Sequence, residues 1–188
     1  MSGDLLRAPA SGAPPFQSIE ERRAELLADL VSAAWGAHGE FIDADQFLSK
    51  PTVLRRLAAI LAGRVPPDTD RLLGREPHSL VLGAALTLET GLPLVIARVT
   101  DSTLRCFGEL HPGERVLVVE GVTGTGGSAE GAVVEARRRG AVISRVLAAV
   151  DRDQGATARL AEVGVTLETL FADSELRANA TRSTEGGR

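Results

Sequence analysis

Apolar residues in the central part of the chain form short continuous runs, separated by segments with helical spacing. Runs without alternation of apolar and polar residues are typical of parallel strands that are buried on both faces. The predicted strands are 71–74, 94–99, 116–120, 142–150 and 165–170, and the predicted helices between them are 79–90, 127–139 and 157–163. This order predicts an α/β fold with a central, mostly parallel sheet that is flanked by helices.

Two more helices are predicted before the sheet. Ser18 and Glu21 form a capping box in front of the helical pattern at 19–35, and a proline stands in the first turn of the pattern at 51–62. Both ends of the chain are rich in small and polar residues and show no sustained period. The prediction is a flexible arm at 1–17, one domain at 18–175 and a flexible tail at 176–188.

A loop of small and hydroxyl-bearing residues follows the third predicted strand. It consists of Thr123, Gly124, Thr125, Gly126, Gly127 and Ser128. The glycines permit positive φ and a close approach to the backbone, while the hydroxyls and the N-terminus of the next helix supply hydrogen-bond donors. Such loops lie at the carboxyl edge of a parallel sheet, where ligands bind. We therefore expect residues 123–128 to bind a phosphate group.

An acid, Glu120, stands at the end of the strand just before this loop. Its carboxylate can accept hydrogen bonds from ribose hydroxyls or ligate a Mg²⁺ ion that is bound to phosphate. A glycine-rich turn can also be no more than a tight connection, so the loop alone leaves the function open. The sequence contains no Gly-Lys-Ser/Thr, and the glycine spacing here does not fit the dinucleotide-binding fingerprint. A P-loop NTPase and a dinucleotide-binding protein are therefore disfavoured.

Composition and charge narrow the range of partners. The net charge of −4 and the pI near 5.5 provide no broad cationic field for nucleic acid or an anionic membrane. Aromatic residues make up 3% of the chain, so a platform for base stacking is not expected. A single cysteine excludes an internal disulfide, and no apolar run approaches the ~18 residues of a membrane span. We expect a cytoplasmic protein that binds a small molecule and neither nucleic acid nor a membrane.

The acid, the loop and the helix after it resemble the phosphoribosyl-diphosphate (PRPP) motif of type I phosphoribosyltransferases. Further stretches are most similar to the orotate phosphoribosyltransferases of that family. They are AALTLETGLPLVIAR at 84–98, HPGERV at 111–116, VDRDQG at 150–155 and LAEVGV at 160–165. The similarity covers residues 70–172 and, more weakly, residues 19–62.

The resemblance implies both a fold and an activity. Members of the family have a parallel sheet with a small hood, commonly dimerise, and transfer 5-phosphoribosyl from PRPP to orotate with Mg²⁺ and release of pyrophosphate. By position, it implies the 5′-phosphate at 123–128, the ribose hydroxyls at Glu120, pyrophosphate at Arg98 and the orotate carboxylate at Arg152. The planar fork of arginine suits both anions, although an arginine flanked by acids, as Arg152 is, is also common in surface ion pairs. Mg²⁺ is expected to bind through PRPP, without an assigned protein ligand.

The chain departs from the family motifs around the pyrophosphate. Gly121 stands where the family has a second acid, and His78 and Ser79 stand where it has a Gly-Gly turn that approaches the diphosphate. After Arg98 the expected lysines are missing, which leaves Arg105 as the basic residue that can substitute for them or simply face solvent. His78 is a candidate replacement contact for phosphate. The hood is reduced as well, and restoring the acid by Gly121→Asp is expected to raise any transferase activity.

Three functions are compatible with these features, and the first is preferred. It is an orotate phosphoribosyltransferase-like enzyme in which Glu120, Arg98 and Arg105 act in catalysis while Arg152 and His78 bind the substrate. The second is a non-catalytic relative that binds a phosphoribosyl compound or a nucleotide monophosphate as a sensor or partner subunit. Losing one charge-stabilising donor commonly costs ~2.7–4 kcal/mol in a transition state, so several losses favour this alternative. The third is an enzyme that acts on a phosphoribosylated substrate by different chemistry.

Overall fold

The computed structural model describes residues 18–34 and 42–185, which form helices around one sheet. The helices are α1 (Ile19–Ala34), α2 (Ala44–Leu48), α3 (Pro51–Ala62), α4 (His78–Thr90), α5 (Gly127–Arg138), α6 (Ala156–Glu162) and α7 (Asp173–Glu185). The strands are β1 (Arg71–Arg75), β2 (Leu94–Thr100), β3 (Thr103–Phe107), β4 (Val116–Thr123), β5 (Arg145–Asp151) and β6 (Thr166–Ala172). They pair in the order β3-β2-β1-β4-β5-β6, and all neighbours are parallel except β2 and β3. The predicted α/β fold is confirmed.

Helices cover both faces of the sheet. Consecutive strand residues point to opposite faces, so Leu72 and Val119 are buried in one core while their neighbours Leu73 and Val118 are buried in the other. The first core contains side chains from α1 to α4 and α7, and the second contains side chains from α5 and α6. This burial on both faces explains why the strand sequences are continuous apolar runs. Within the described residues, no helix combines the length and the apolar character needed to cross a bilayer.

The order of the strands reverses at β1. From β1 the chain passes through α4 to β2 and β3 on one side, and it then adds β4 on the other side of β1. The helices that follow these two neighbouring strands, α4 and α5, pack on opposite faces of the sheet. Their connections therefore diverge and leave a crevice at the carboxyl ends of β1 and β4, which is the usual ligand position in such sheets.

The structure contains elements that the apolar pattern does not predict. β3 is an edge strand that alternates between exposed and half-buried residues, and it follows a tight turn in which Asp101 and Ser102 have φ values of 49° and 61°. Two consecutive positive φ values are typical of the hairpin turns that join antiparallel strands. α2 has five residues, too few for a period to be recognised, and the Asp43 side chain caps it by accepting from the Asp45 N–H at 3.0 Å.

The C-terminal boundary differs from the prediction as well. The flexible tail predicted at 176–188 is wrong over 176–185, because α7 runs from Asp173 to Glu185. Leu176 is 1% exposed in the first core, and Glu175 accepts a hydrogen bond from Arg23 of α1 at 2.7 Å. The buried leucine and this ion pair thus help to hold a helix of largely polar composition against the core. The arm predicted at 1–17 lies outside the described residues, as do residues 186–188.

Candidate active site

A cleft of about 210 Å³ opens at the switch point between β1 and β4. One wall is the connection at 75–79 that leads from β1 into α4, and the opposite wall comprises the end of β4 and the first turn of α5. Arg152 after β5 and the start of α2 close the remaining side. Of the residues predicted to form the site, the cleft brings together Glu120, Ser128, His78 and Arg152.

The predicted phosphate loop connects β4 directly to α5. β4 continues through Thr123, which is buried, and the loop proper is 124–126. Gly126 is the N-cap of α5 with φ 78°, and it carries no side chain that could cap the helix. The first N–H groups of α5 are therefore left for water or for an anionic ligand. Ser128 lies in the cleft wall beside them.

Two glycines of the loop allow it to pack against the segment after β5. A Cβ on Gly124 would lie 2.7 Å from the side-chain oxygen of Gln154, and a Cβ on Gly126 would lie 3.0 Å from the Cα of Ala156. The Arg152 N–H also donates to the Thr123 carbonyl at 2.8 Å. The loop thus packs closely against residues 152–156, and this packing requires glycine at positions 124 and 126.

Glu120 is a buried carboxyl group with one uncommitted oxygen. Its side chain belongs to a residue that is 3% exposed, and its Oε2 accepts a hydrogen bond from the Ser79 hydroxyl at 2.5 Å. Oε1 is buried and has no hydrogen-bond partner among the described residues. Burial raises the pKa of Glu120 to about 7, against the lowering effects of the Ser79 hydrogen bond and of the charges on Arg75 and His78. A carboxyl group in this state can accept a hydrogen bond from a ligand in the cleft.

The two arginines predicted to act on pyrophosphate lie beside the cleft rather than in its wall. Arg98 on β2 donates to both carboxylate oxygens of Glu76, at 2.9 and 2.8 Å, and its guanidinium lies over the ring of Phe107. Arg105 stands directly opposite Arg98 on β3 and is exposed. Because Glu76 lines the cleft, Arg98 is one side chain removed from it. A pyrophosphate ion at Arg98 would have to compete with the Glu76 carboxylate.

His78 and Arg152 connect the cleft to α2. The Nδ1 of His78, at the start of α4, lies 2.7 Å from the Asp45 carboxylate, and the Arg152 Nη2 donates to the Ile42 carbonyl at 2.8 Å. Asp43, the N-cap of α2, also lines the cleft. The short segment 42–48 thus closes one side of the cleft.

A side chain at position 121 would meet the packing of α2 on β4. A Cβ on Gly121 would lie 3.0 Å from the Leu48 Cδ1, because α2 packs on this part of β4. An aspartate introduced at this position would therefore press against a leucine of α2. The expectation that Gly121→Asp raises activity does not take this packing into account.

We now expect Gly121→Asp to destabilise the protein by about 1–3 kcal/mol, because the new carboxylate is forced against an apolar side chain. Urea unfolding of Gly121→Asp, Leu48→Ala and the double variant measures the coupling between the two sites. The cost of Gly121→Asp should be smaller in the Leu48→Ala background. An equal cost in both backgrounds would mean that Leu48 is not the obstacle.

Sequence reasoning missed Arg75 and the role of Ser79. Arg75 is the last residue of β1, lines the cleft, and donates through Nη1 to the Ser128 hydroxyl at 2.6 Å. Ser79 is buried in the cleft wall, where its hydroxyl donates to Glu120 and accepts from the Gly121 N–H at 3.4 Å. A basic residue at the carboxyl end of a central strand is the signal that could have identified Arg75.

Comparison with known proteins agrees with this geometry. No family model matches the chain. The chain is 33% identical over 175 residues to an orotate phosphoribosyltransferase of Methanosarcina mazei, which covers 85% of this chain and 94% of the relative. It is 38% identical over 145 residues to the enzyme of the same name from Halobacterium salinarum, covering 75% of this chain and 82% of the relative.

A similarity in fold extends to solved structures. The Mycobacterium tuberculosis orotate phosphoribosyltransferase in complex with PRPP superposes with a TM-score of 0.69 at 22% identity, covering 82% of this chain and 98% of that one. Relatives above 30% identity align over most of their own length, and the cleft lies where the family resemblance places its ligand. The chain therefore belongs to the orotate phosphoribosyltransferase family.

Proposed function

We propose that the chain transfers the 5-phosphoribosyl group of PRPP to orotate and releases pyrophosphate. The observation that carries the proposal is the presence, in one cleft, of both the uncapped N-terminus of α5 and the buried carboxyl group of Glu120. A phosphoribosyl group has a dianion at one end and two ring hydroxyls at the other. The helix N-terminus suits the dianion, and the free Glu120 oxygen suits a hydroxyl.

Each of the predicted residues has a role in this proposal. The loop 123–128 binds the 5′-phosphate, Glu120 accepts hydrogen bonds from the ribose hydroxyls, and Arg152 binds the orotate carboxylate. Arg98 and Arg105 stabilise the negative charge that develops on the departing pyrophosphate, and His78 contacts phosphate from the connection after β1. Catalysis then depends on positioning and electrostatic stabilisation, without covalent chemistry by the protein.

The residues at the cleft fit a Mg²⁺ ion that is held mainly by its substrate. In the part of the chain that the structure describes, no cluster of three His, Cys, Asp or Glu side chains could bind a metal by itself. Mg²⁺ typically keeps several waters and binds through one or two carboxylates together with phosphate oxygens. When bound to PRPP it would neutralise charge on the diphosphate, while the chain orients the ribose through Glu120.

The test combines turnover with binding. We expect orotate and PRPP to be consumed in the presence of Mg²⁺ with release of pyrophosphate, and calorimetry should detect PRPP binding that depends on the metal. Orotate, uracil and nicotinate should be compared as acceptors. Tight binding of orotidine monophosphate without any pyrophosphate release would contradict the transferase and would support the non-catalytic alternative.

Ser128→Ala should weaken the binding of ribose 5-phosphate by roughly 10-fold or more, because a hydrogen bond to a charged group contributes about 1.5–3 kcal/mol. Calorimetric titration of the two proteins measures the ratio of dissociation constants. Ser144→Ala is the matched control, since Ser144 is an exposed serine before β5, at the opposite edge of the sheet. Equal affinities of Ser128→Ala and Ser144→Ala would remove Ser128 from the phosphate site.

Two further features belong to the proposal. The family resemblance favours a homodimer, and the enzymatic role in nucleotide synthesis favours the cytoplasm. Both remain predictions, which size-exclusion chromatography and cell fractionation can test.

A further inference from the structure

Arg75 occupies a central place in the cleft that the family motifs do not assign. It is the last residue of β1, next to β4 in the sheet, and its half-buried side chain lines the cleft and reaches toward α5. Its Nη1 donates to the Ser128 hydroxyl at 2.6 Å and so joins the wall after β1 to the first turn of α5. The guanidinium therefore lies within hydrogen-bonding reach of the predicted phosphate loop.

Among the residues that the structure describes, no carboxylate forms a salt bridge with Arg75. Two other arginines near the cleft do form salt bridges, Arg98 with Glu76 and Arg159 with Glu130. For Arg75 the structure of the described chain records the hydrogen bond to Ser128, and its charge acts on the Glu120 carboxyl group without an ion pair between them. A guanidinium carries five N–H donors in a planar fork, so one bond to a hydroxyl leaves most of them available to an anion.

The hydrogen bond to Ser128 also sets the direction of the serine proton. Because the Ser128 oxygen accepts from Arg75, its own O–H is free to donate to another acceptor. The uncapped N–H groups of α5 lie in the same turn. A phosphate group at this point would receive donors from the helix, from the serine and from the arginine, all of which favour a dianion.

We propose that Arg75 binds the 5′-phosphate of the phosphoribosyl substrate directly, together with Ser128 and the first turn of α5. The assignment rests on the proposed function, because it takes the ligand of the cleft to be a phosphoribosyl compound. It supplies a cation at a site whose family motif relies on backbone amides and hydroxyls. The alternative is that Arg75 only braces Ser128 against β1.

The experiment measures the binding of ribose 5-phosphate, PRPP and inorganic pyrophosphate to the full chain by calorimetry with Mg²⁺. Arg75→Met keeps the length of the side chain and removes its donors, and Arg115→Met at the opposite edge of the sheet controls for the change in net charge. We expect Arg75→Met to weaken ribose 5-phosphate and PRPP equally, by about 10- to 100-fold. Pyrophosphate binding should stay unchanged, and Arg115→Met should have little effect on any of the three ligands.

Two additional variants separate direct contact from bracing. In a Ser128→Ala background, Arg75→Met should still lower the affinity for ribose 5-phosphate. If it causes no further loss of affinity there, Arg75 acts only through Ser128 and the proposal is overturned. Arg75→Lys, which keeps the charge, should retain intermediate affinity and guards against a folding defect in Arg75→Met. A loss of pyrophosphate affinity equal to that for ribose 5-phosphate would also overturn it, by assigning Arg75 to the diphosphate.

The two proposals fail in distinguishable ways. If the unmodified chain consumes PRPP and orotate but Arg75→Met binds ribose 5-phosphate normally, the transferase stands and the role of Arg75 is refuted. If the unmodified chain binds neither ribose 5-phosphate nor PRPP, both proposals are refuted together.

Discussion

Gly126→Ala is expected to destabilise the protein by roughly 2–5 kcal/mol, a large share of the stability of an ordinary domain. Two costs add at this position. Gly126 has φ 78°, a conformation that costs an L-residue about 1–2 kcal/mol. The new Cβ would also lie 3.0 Å from the Cα and 3.2 Å from the carbonyl oxygen of Ala156, which are backbone atoms at the start of α6.

The second cost also bears on ligand binding. Relieving the contact with Ala156 requires the loop to move away from α6, and this displaces the first N–H groups of α5. We therefore expect ribose 5-phosphate to bind at least about 10-fold more weakly to the folded variant, because several hydrogen bonds to the phosphate lose their geometry together. Urea unfolding and calorimetry measure the two effects.

Gly164→Ala is the matched control for Gly126→Ala. Gly164 has φ 68°, but a Cβ there would meet no atom within 4 Å, and the residue lies in the turn between α6 and β6, away from the cleft. The free energy of unfolding of Gly164→Ala should fall only by the conformational cost of about 1–2 kcal/mol, and the variant should bind ribose 5-phosphate normally. Equal losses of stability in the two variants would show that the contact with Ala156 does not restrict position 126.

The elements that the sequence predicts well are those whose buried residues follow a regular spacing within a short segment of the chain. The strand at 116–120 is recognised because residues on both sides of the sheet are apolar, and α3 is predicted at its observed bounds, 51–62, because a proline starts it and its buried residues recur every three or four positions. The loop 123–128 is predicted because its glycines and hydroxyl-bearing residues occur together between a predicted strand and a predicted helix. These signals lie within a few residues of one another.

The elements that the sequence does not predict depend on contacts between distant segments. α7 is held by Leu176 in the core and by the ion pair from Glu175 to Arg23 of α1, and neither is visible in the local pattern. β3 has only five residues and is no more than half-buried, so it shows no continuous apolar run, and its pairing with β2 places it at the edge of the sheet. Such elements are decided by tertiary partners, which override weak local preferences.

The same distinction applies to the candidate site. Glu120, Ser128, His78 and Arg152 lie at strand ends or at helix starts, so their meeting follows from the topology of a parallel sheet. The environment of each side chain does not follow from it. That Arg98 is engaged by Glu76, and that Leu48 fills the space beside Gly121, depends on which residues happen to pack nearby.

Glu120→Gln is expected to stabilise the protein relative to the unmodified chain as the pH rises. The pKa of Glu120 is raised by burial from an ordinary 4.5 to about 7. The folded state therefore holds a proton that the unfolded state releases more readily. The resulting stability is fully present below about pH 4.5 and is lost as the pH rises through about 7.

The size of this effect follows from the same shift. A pKa difference between about 4.5 and about 7, at 1.36 kcal/mol per unit, corresponds to roughly 3 kcal/mol at pH values above both. Glutamine cannot ionise, so the variant escapes this loss. Urea unfolding at pH 5 and pH 8 should show the advantage of Glu120→Gln growing by about 2.5 kcal/mol, since part of the loss has already occurred at pH 5, while Glu89→Gln, an exposed position on α4, shows no such trend.

Rising pH should favour the unmodified chain over Glu120→Gln in the binding of ribose 5-phosphate, although it favours Glu120→Gln in stability. An ionised Glu120 accepts hydrogen bonds from the ribose hydroxyls more strongly than a neutral one, so the affinity of the unmodified chain should rise through pH 7. The ligand phosphate and the other side chains titrate in the unmodified chain and in Glu120→Gln alike. The ratio of the affinities of these two proteins for ribose 5-phosphate therefore isolates the ionisation of Glu120. A ratio that stays constant from pH 5 to pH 8 would mean that Glu120 does not touch the sugar. A ratio that changes while the stabilities do not would mean that Glu120 is hydrated in the free protein.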